Sequence, residues 1–461
     1  MISITYDNKL KNIEIDGRKS ILELVRENFE CSFSPCPKSY THDGTCGRCL
    51  VRVKKDAKSE WELVKACHSA ASDGMQVVCC FDGALDDRIS TLPGESTDLN
   101  CTEYCAVDLG STTIAAKSDD NIFTMLNPQR IYGSDVISRI SASCDGNGDR
   151  LMSLVRDAIG RLLDKADPMR EYTSVIAGNT TMIHLLMGYE CEGLGAFPFT
   201  AHSLAGEDLV MDGRRIITVP HISSFIGGDI VSGLYYIEET GKDTDTYLFI
   251  DLGTNAEMVL KHNGVYYCAA SSAGPAFESS VSIGLPGADM LHILADALKK
   301  GVIDETGLLA DEYFDDGYEL TYEGRKVTLT QQTIRELQLA KAAIYCAAGQ
   351  LMKRAGVGAE DISKVCLAGG FGYCLRQEDA FVTGLLDGGF AGKVEAVGNS
   401  SLKGAALLSS AVNRGEAEAE KELMKLTAIT DNAQVVTLSL IDSFAKDYLD
   451  AMNFPGDNMI L

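Results

Sequence analysis

Two stretches of the chain, "YCAVDLGSTTIAAK" at 104–117 and "YLFIDLGTNAEMVL" at 247–260, share one pattern. Each is an apolar strand ending in Asp-Leu-Gly, then a hydroxyl and a polar residue, then a second strand. Glycine followed by Ser or Thr suits a turn, so each stretch predicts a β-hairpin with a carboxylate at the end of its first strand. The two aspartates, Asp108 and Asp251, lie 143 positions apart. Solenoid repeats recur at periods of about 20 to 50 residues, so this domain-sized separation predicts two related lobes instead. Strand-like and helix-like segments alternate around both hairpins, which predicts an α/β body.

Such a hairpin can offer backbone amides and hydroxyls to phosphate oxygens, while the carboxylate holds Mg2+ through water. Two of them face to face would clamp the phosphates of a nucleotide from both sides. A third element, "VCLAGGFGYC" at 365–374, puts Gly369, Gly370 and Gly372 after a buried strand. A flat base or ribose could lie against main chain there; the plain alternative is an ordinary strand-to-helix turn. No G-x-x-x-x-G-K-S/T loop and no G-x-G-x-x-G after a strand is found, so P-loop and dinucleotide-binding folds lack support.

The first ninety residues differ in kind. Strands are predicted at 2–6 and 11–15, and Ser20 with Glu23 forms a capping box opening a helix through "ILELVREN". "CLVRVKK" and "GMQVVCCF" have the β-branched density of further strands. Between helix and strands stands "CPKSYTHDGTCGRC", with Cys36, Cys46 and Cys49, and Cys67 follows in "KACHSA". Four thiolates, three from one loop and one distant, would complete the first shell of a [2Fe-2S] cluster. Gly44 and Gly47 allow amides to approach its sulfides. Structural zinc normally shows two C-x2-C knuckles or paired histidines, and one knuckle is present. Cys31 is an alternative ligand to Cys36; the other cysteines, Cys79 and Cys80 included, read as small buried apolar residues. The histidines form no ligand spacing and read as surface or hydrogen-bonded core groups.

The predicted organisation is therefore a unit at 1–90, a linker at 91–100 marked by "STLPGESTD", a first lobe at 101–245, and a second lobe at 246–461 with a C-terminal helical segment. "TTMIHLLMG" and 333–356, stopped by Gly356, read as helices, and "GEAEAEKELMKL" as a charged helix with a solvated face. The formal net charge is −25, and the first hundred residues carry 13 Lys+Arg against 16 Asp+Glu, so nearly all the acidity belongs to the body. That charge argues against nucleic-acid binding and is compatible with solubility or with steering of a partner protein. The N-terminus lacks a basic stretch followed by an apolar run, and no apolar run approaches a membrane span, so a cytoplasmic protein with reduced cysteines is expected.

Hairpin, hairpin and Gly-Gly turn, in that order, resemble the ATPase superfamily of actin, sugar kinases and heat-shock chaperones. The resemblance extends through "NPQRIYGSDVISRI", "AGNTTMIHLLMG", "FPF", "GGDI", "DLGTNAE", "SSAGPAFE", "LTQQTIRELQLAKAAI", "LAGGFG", "GNSSLKGAAL" and "FAKDYLDAMNFP". These motifs are similar to those of the reductive activators of corrinoid enzymes. That family implies a β-grasp ferredoxin-like [2Fe-2S] domain followed by a two-lobed actin-like body of duplicated ribonuclease H-like halves. By the resemblance, Asp108, Gly110, Ser111, Thr112 and Thr113 form the first phosphate loop, and Asp251, Gly253, Thr254 and Asn255 the second. Gly369, Gly370 and Phe371 would face the adenosine, with Lys341 a further contact. Asp229 is a candidate for holding Mg2+ or the attacking water, or else a cap or turn residue. Cys36, Cys46, Cys49 and Cys67 would hold the cluster. The implied cofactors are the cluster, ATP and Mg2+. The implied partners are a corrinoid protein of a methyltransferase system and an upstream low-potential electron donor, with a homodimer allowed. The implied activity is ATP-dependent reduction of inactive Co(II) to Co(I). The alternative is activation of another low-potential enzyme such as a 2-hydroxyacyl-CoA dehydratase, whose activators carry no N-terminal ferredoxin domain. Two features depart from the family: nine residues, not five, separate Cys36 from Cys46, and the longer linker with its extra small domain is missing.

Overall fold

The computed structural model describes residues 1–6, 9–15, 19–29, 50–55, 59, 62–79, 101–119, 121–133, 135–241, 245–253, 255–271, 285 and 287–456. Cys31, Cys36, Cys46, Cys49, Cys80, Thr254 and the expected linker at 91–100 lie outside the described residues.

The N-terminal unit contains β1 (Ile2–Tyr6), β2 (Lys9–Ile13), α1 (Ile21–Asn28), β3 (Leu50–Lys54), β4 (Glu62–Lys65) and β5 (Gln76–Cys79). Its sheet runs β2-β1-β5-β3-β4, with β1 parallel to β5 and the other pairs antiparallel, a β-grasp order. The second strand begins two residues earlier than its sequence predicts, because the ladder pairs Ile2 with Ile13 and ends there. The capping box at Ser20 and Glu23 is formed in both directions, satisfying donors at the start of α1. Ile21, Leu22, Leu24 and Val25 then make one stripe buried against Ile2, Ile4, Val51, Val53 and Val77.

The first lobe contains β6 (Cys105–Leu109), β7 (Thr113–Ser118), β8 (Asn121–Leu126), α2 (Val136–Ala142), α3 (Gly148–Ala166), β9 (Ser174–Gly178), α4 (Thr180–Met187), α5 (Glu192–Gly195), β10 (Asp208–Met211), β11 (Arg214–Thr218) and α6 (Gly228–Thr240). The second opens with β12 (Thr246–Leu252), β13 (Ala256–His262), β14 (Val265–Ser271), α7 (Gly287–Lys299), the small hairpin β15 (Tyr318–Tyr322) and β16 (Arg325–Leu329), and α8 (Gln331–Ala355). It continues through β17 (Lys364–Ala368), α9 (Gly369–Cys374), α10 (Gln377–Val382), β18 (Val394–Gly398), α11 (Ser400–Arg414), α12 (Glu416–Asp431), β19 (Ala433–Val435) and α13 (Phe444–Asp450). The duplication is visible in the sheets. One reads β8-β7-β6-β9-β11 and the other β14-β13-β12-β17-β18: an antiparallel meander followed by two parallel strands. β10 extends the first sheet at one edge, and β19 extends the second at the opposite one.

Alternation along the central strands decides which residues look where. Cys105, Val107 and Leu109 of β6 pack on α3 and α4, while Ala106 faces the other way. Leu248, Ile250 and Leu252 of β12 join the core under α7 and α8, while Tyr247 and Phe249 face the other way. Those second faces, with α6 and α11 between them, merge into one core drawn from both lobes. The two helices cross almost backbone to backbone: a Cβ on Gly404 would stand 1.9 Å from the Ser232 carbonyl oxygen. Ser232 Oγ donates to the Ser401 carbonyl at 2.7 Å, pinning the crossing. The glycines after β17 open the short helix α9, so the chain passes from strand to helix there. One expectation changes. The charged helix α12 is not simply a solvated face, since Glu422 is buried, accepting from Tyr235 Oη at 2.7 Å and pairing with Lys425. No helix among the described residues is long and apolar enough to cross a membrane.

Candidate functional site

The next residue on the inter-lobe row after Ala106 is Asp108, and after Phe249 it is Asp251. Both hairpins therefore carry their carboxylate into the seam between the lobes. Asp229 joins them from the first turn of α6, where its Oδ1 accepts from the Ile230 amide at 2.9 Å and the helix dipole favours an anion. A fourth carboxylate, Glu257, stands directly opposite Asp251 in the β12–β13 ladder. All four are half-buried.

Their charges oppose one another. Burial, then the charges of Asp251 and Asp108, push Asp229 up to about 7. Burial and the charge of Asp108 push Asp251 to about 7. Burial, with Asp229 and Asp251, raises Glu257 well above the ordinary carboxylate range. Oxygen donors with unrelieved negative charge suit a hard divalent cation. Among the described residues no three side chains are placed to ligate one metal ion by themselves. Mg2+ in general keeps several waters and takes one or two carboxylates together with phosphate oxygens.

Asp108 differs from its counterpart in being held. Asn399 Nδ2 donates to its Oδ2 at 2.8 Å and Ser401 Oγ to its Oδ1 at 2.7 Å. These two bonds moderate the upward push that burial gives Asp108. Asn399 also caps α11, its Oδ1 accepting from the Leu402 amide at 2.8 Å, so a cap of the second lobe grips the first lobe's carboxylate. Asp251 receives no side-chain hydrogen bond among the described residues. It is approached by Gly369, whose φ of +81° and whose missing Cβ, which would lie 2.8 Å from Asp251 Oδ1, both require glycine.

The first loop is closed by Gly110, whose amide donates to the Thr113 carbonyl at 3.0 Å. Asn127 Nδ2 donates to the Gly110 carbonyl at 2.9 Å and the Asn127 amide to the Thr112 carbonyl at 2.8 Å. Arg139 donates to the Ser111 carbonyl. Ser111 is half-buried and Thr112 exposed, whereas Thr113 is buried in β7. In the second loop the Gly253 amide donates to the Asn255 carbonyl at 2.9 Å. Gly369, Gly370 and Phe371 open α9 beside this hairpin, with Phe371 packed on the second-lobe core.

Lys341 has a different setting. Its ammonium donates to the Asn453 carbonyl and lies 5.0 Å from the centre of the Phe454 ring, enclosed by the C-terminal segment. Burial lowers its pKa to about 8. Cys67 occupies the turn after β4, half-buried, and the carbonyl of neighbouring Ala66 accepts from the Leu22 amide at 3.1 Å, docking that turn on α1. A concavity of about 370 Å³ lies between α8 and α13, lined by Tyr345, Gly349, Leu386, Asp387 and Asp447 among others. None of the four carboxylates belongs to it.

Sequence reasoning left Glu257, Asn399, Ser401, Asn127, Arg139 and His221 unassigned. Glu257 was within reach, because a three-residue turn places it opposite Asp251. His221 is buried and accepts from the Gly228 amide at 2.8 Å through Nδ1, fixing the start of α6, and burial takes its pKa down to about 3. Asn399 and Asn127 also make local caps, but their grip on Asp108 and on the first loop, like that of Ser401 and Arg139, spans 15 or more positions and has no local signal.

Two copies of one sheet order, carboxylate hairpins facing across a seam and a glycine-opened helix beside the second hairpin define an ATPase-type fold of the actin, sugar-kinase and heat-shock-chaperone class. Family models of that class match most of the chain: the RACo middle region over 104–240, and the C-terminal ASKHA domain of RACo over 245–283 and 280–461. The chain belongs to the RACo family. A relative from Eubacterium limosum, the corrinoid activation enzyme RamQ, is 26% identical over 431 residues, covering 77% of this chain and 71% of the relative. A solved structure described as a reductive activator for a corrinoid, iron-sulfur protein has 21% identity and a TM-score of 0.64, covering 99% of this chain and 98% of that one. This likeness extends the fold comparison over the N-terminal unit.

Proposed function

We propose that this protein is an ATP-dependent reductive activator that returns the cobalt of a partner corrinoid protein from Co(II) to Co(I). The observation that carries the reading is the meeting of Asp108, Asp229, Asp251 and Glu257 at a seam between two lobes, beside a loop whose carbonyls are turned away. Membership of the RACo family and the similarity to RamQ support the corrinoid partner.

In this reading the amides of Ser111 and Thr112, together with the turn of the second hairpin, receive the phosphates, and Asp251, Asp229 and Glu257 hold Mg2+ through its waters. Asp108 ties the first lobe to the start of α11. Gly369, Gly370 and Phe371 border the adenosine. Cys46, Cys49 and Cys67, with Cys36 or Cys31, would hold a [2Fe-2S] cluster, which when bound supplies one electron to the cobalt and is refilled by a low-potential donor. Plant-type clusters lie near about −400 mV. For one electron about 59 mV corresponds to ~1.4 kcal/mol. A coupling free energy of about 3 kcal/mol from nucleotide-driven lobe closure would therefore shift the balance by about 130 mV.

The test is anaerobic reconstitution with reductant, a Co(II) corrinoid protein and the full chain, with and without ATP. ATP-dependent loss of the Co(II) spectrum is expected. No loss with any corrinoid protein of the organism sinks the proposal, and a colourless, zinc-containing preparation overturns its electron-transfer half.

A further inference from the structure

Arg139 lies on α2, the third of the labelled elements after the first loop, with none of its surface exposed. Its guanidinium is divided among three acceptors: Nε to the Gly133 carbonyl at 2.9 Å, one terminal nitrogen to Met182 Sδ at 3.1 Å, and the other to the Ser111 carbonyl. Among the described residues no carboxylate lies within ion-pair distance. Burial lowers its pKa only to about 9, so it is still charged at neutral pH. A cation buried with only the charge of Asp135, beyond ion-pair distance, to offset it costs several kcal/mol in general, which calls for a reason.

The loop supplies one. The Gly110 and Thr112 carbonyls are taken by Asn127, itself fully buried, and the Ser111 carbonyl by Arg139. In a planar trans peptide the C=O and the following N–H point in opposite directions. Drawing those carbonyls inward therefore turns the Ser111 and Thr112 amides outward, toward the open side of the loop. Neither amide donates to any described residue. Successive outward amides over a buried positive charge form an anion-binding concavity.

From this we infer that Arg139 is a positioning residue for phosphate binding: it never touches the nucleotide, but by holding the Ser111 carbonyl it aims the Thr112 amide at a phosphate oxygen. The inference rests on the nucleotide part of the function proposed above. It assigns the grip to the forked geometry of arginine rather than to charge alone, because one ammonium cannot span three acceptors in fixed directions.

The test is calorimetric titration of the full-length chain and its Arg139→Met and Arg139→Lys variants with Mg-ATP, Mg-ADP and adenosine. The expected result is at least tenfold weaker binding of both phosphate-bearing ligands in each variant, with adenosine affinity within twofold of the parent. Equal weakening for adenosine and Mg-ATP overturns the inference in favour of a general structural role, and full affinity in Arg139→Lys overturns it in favour of charge alone. If Arg139→Met does not fold, the lysine variant decides by the same ratio. A parent chain that binds Mg-ATP while both variants bind it equally well removes this inference and leaves the proposed function standing. A parent chain that binds none of the three ligands removes both.

Discussion

The two hairpins descend from one pattern but are finished differently. In the first, Asp108 faces Ala115 across a four-residue turn and is gripped by Asn399 and Ser401 from the other lobe. In the second, Asp251 faces Glu257 across a three-residue turn, with no side-chain donor among the described residues and a raised pKa. One carboxylate is a latch, its hydrogen bonds spent on joining the lobes. The other stands against like charge. The two copies of one motif thus differ in setting: the first joins the lobes, and the second keeps its carboxylate unbonded by any side chain among the described residues.

The largest expected effect breaks the comparison at its second member. Asp251→Asn should lower Mg2+-dependent ATP turnover by about 10²- to 10³-fold, the scale of losing a preorganised electrostatic group, while leaving the fold intact. Turnover assays with circular dichroism would show both, and an active variant would return Asp251 to a structural role. The latch comes next. Asn399→Ala or Ser401→Ala should each cost about 1.5–3 kcal/mol of unfolding free energy, the range for hydrogen bonds to charged groups. In the Asp108→Asn background the same changes should cost less, which a double-mutant cycle in urea would reveal; strict additivity would deny the latch.

A pH series sharpens the contrast. A carboxyl raised from 3.8 to about 7 binds its proton more tightly in the folded chain than in the unfolded one. The contribution of Asp229 and Asp251 to stability is therefore fully present below their ordinary pKa and is lost as pH rises through about 7. Between pH 5 and 7 the parent chain without Mg2+ should lose stability with rising pH more steeply than Asp251→Asn, as followed by denaturant unfolding at each pH. Parallel curves would show that Asp251 is already ionised at the lower pH. The smallest effect is expected from Glu257→Gln, which removes a like charge directly across the ladder. A gain of about 0.2–1 kcal/mol in the Mg2+-free protein is the usual size for a cross-strand pair, and a loss would mean that Glu257 has a partner of its own.

Much of this was legible in the chain. Glycine turns, β-branched strands and the Ser20–Glu23 box are local chemistry, and α8 runs Gln331–Ala355 with Gly356 in the left-handed conformation as its stop. The inward aim of both aspartates was also implicit, since alternation puts Asp108 and Ala106 on one face and Asp251 and Phe249 on another. The settings of Lys341 and Glu422 could not be read. Lys341 is claimed by Asn453 and Phe454, and Glu422 by Tyr235, all more than 100 positions away.

By itself the sequence determined the class of protein: a hairpin motif recurring 143 positions on, in phase with strand alternation, admits few arrangements other than two matching lobes. Only the tertiary structure decided how the two aspartates differ, why Arg139 is buried on carbonyls rather than in an ion pair among the described residues, and which cap reaches across the seam. Those are pairings between residues far apart in the chain. Their energies depend on burial and on distances of about 3 Å, neither of which any local pattern of residues encodes.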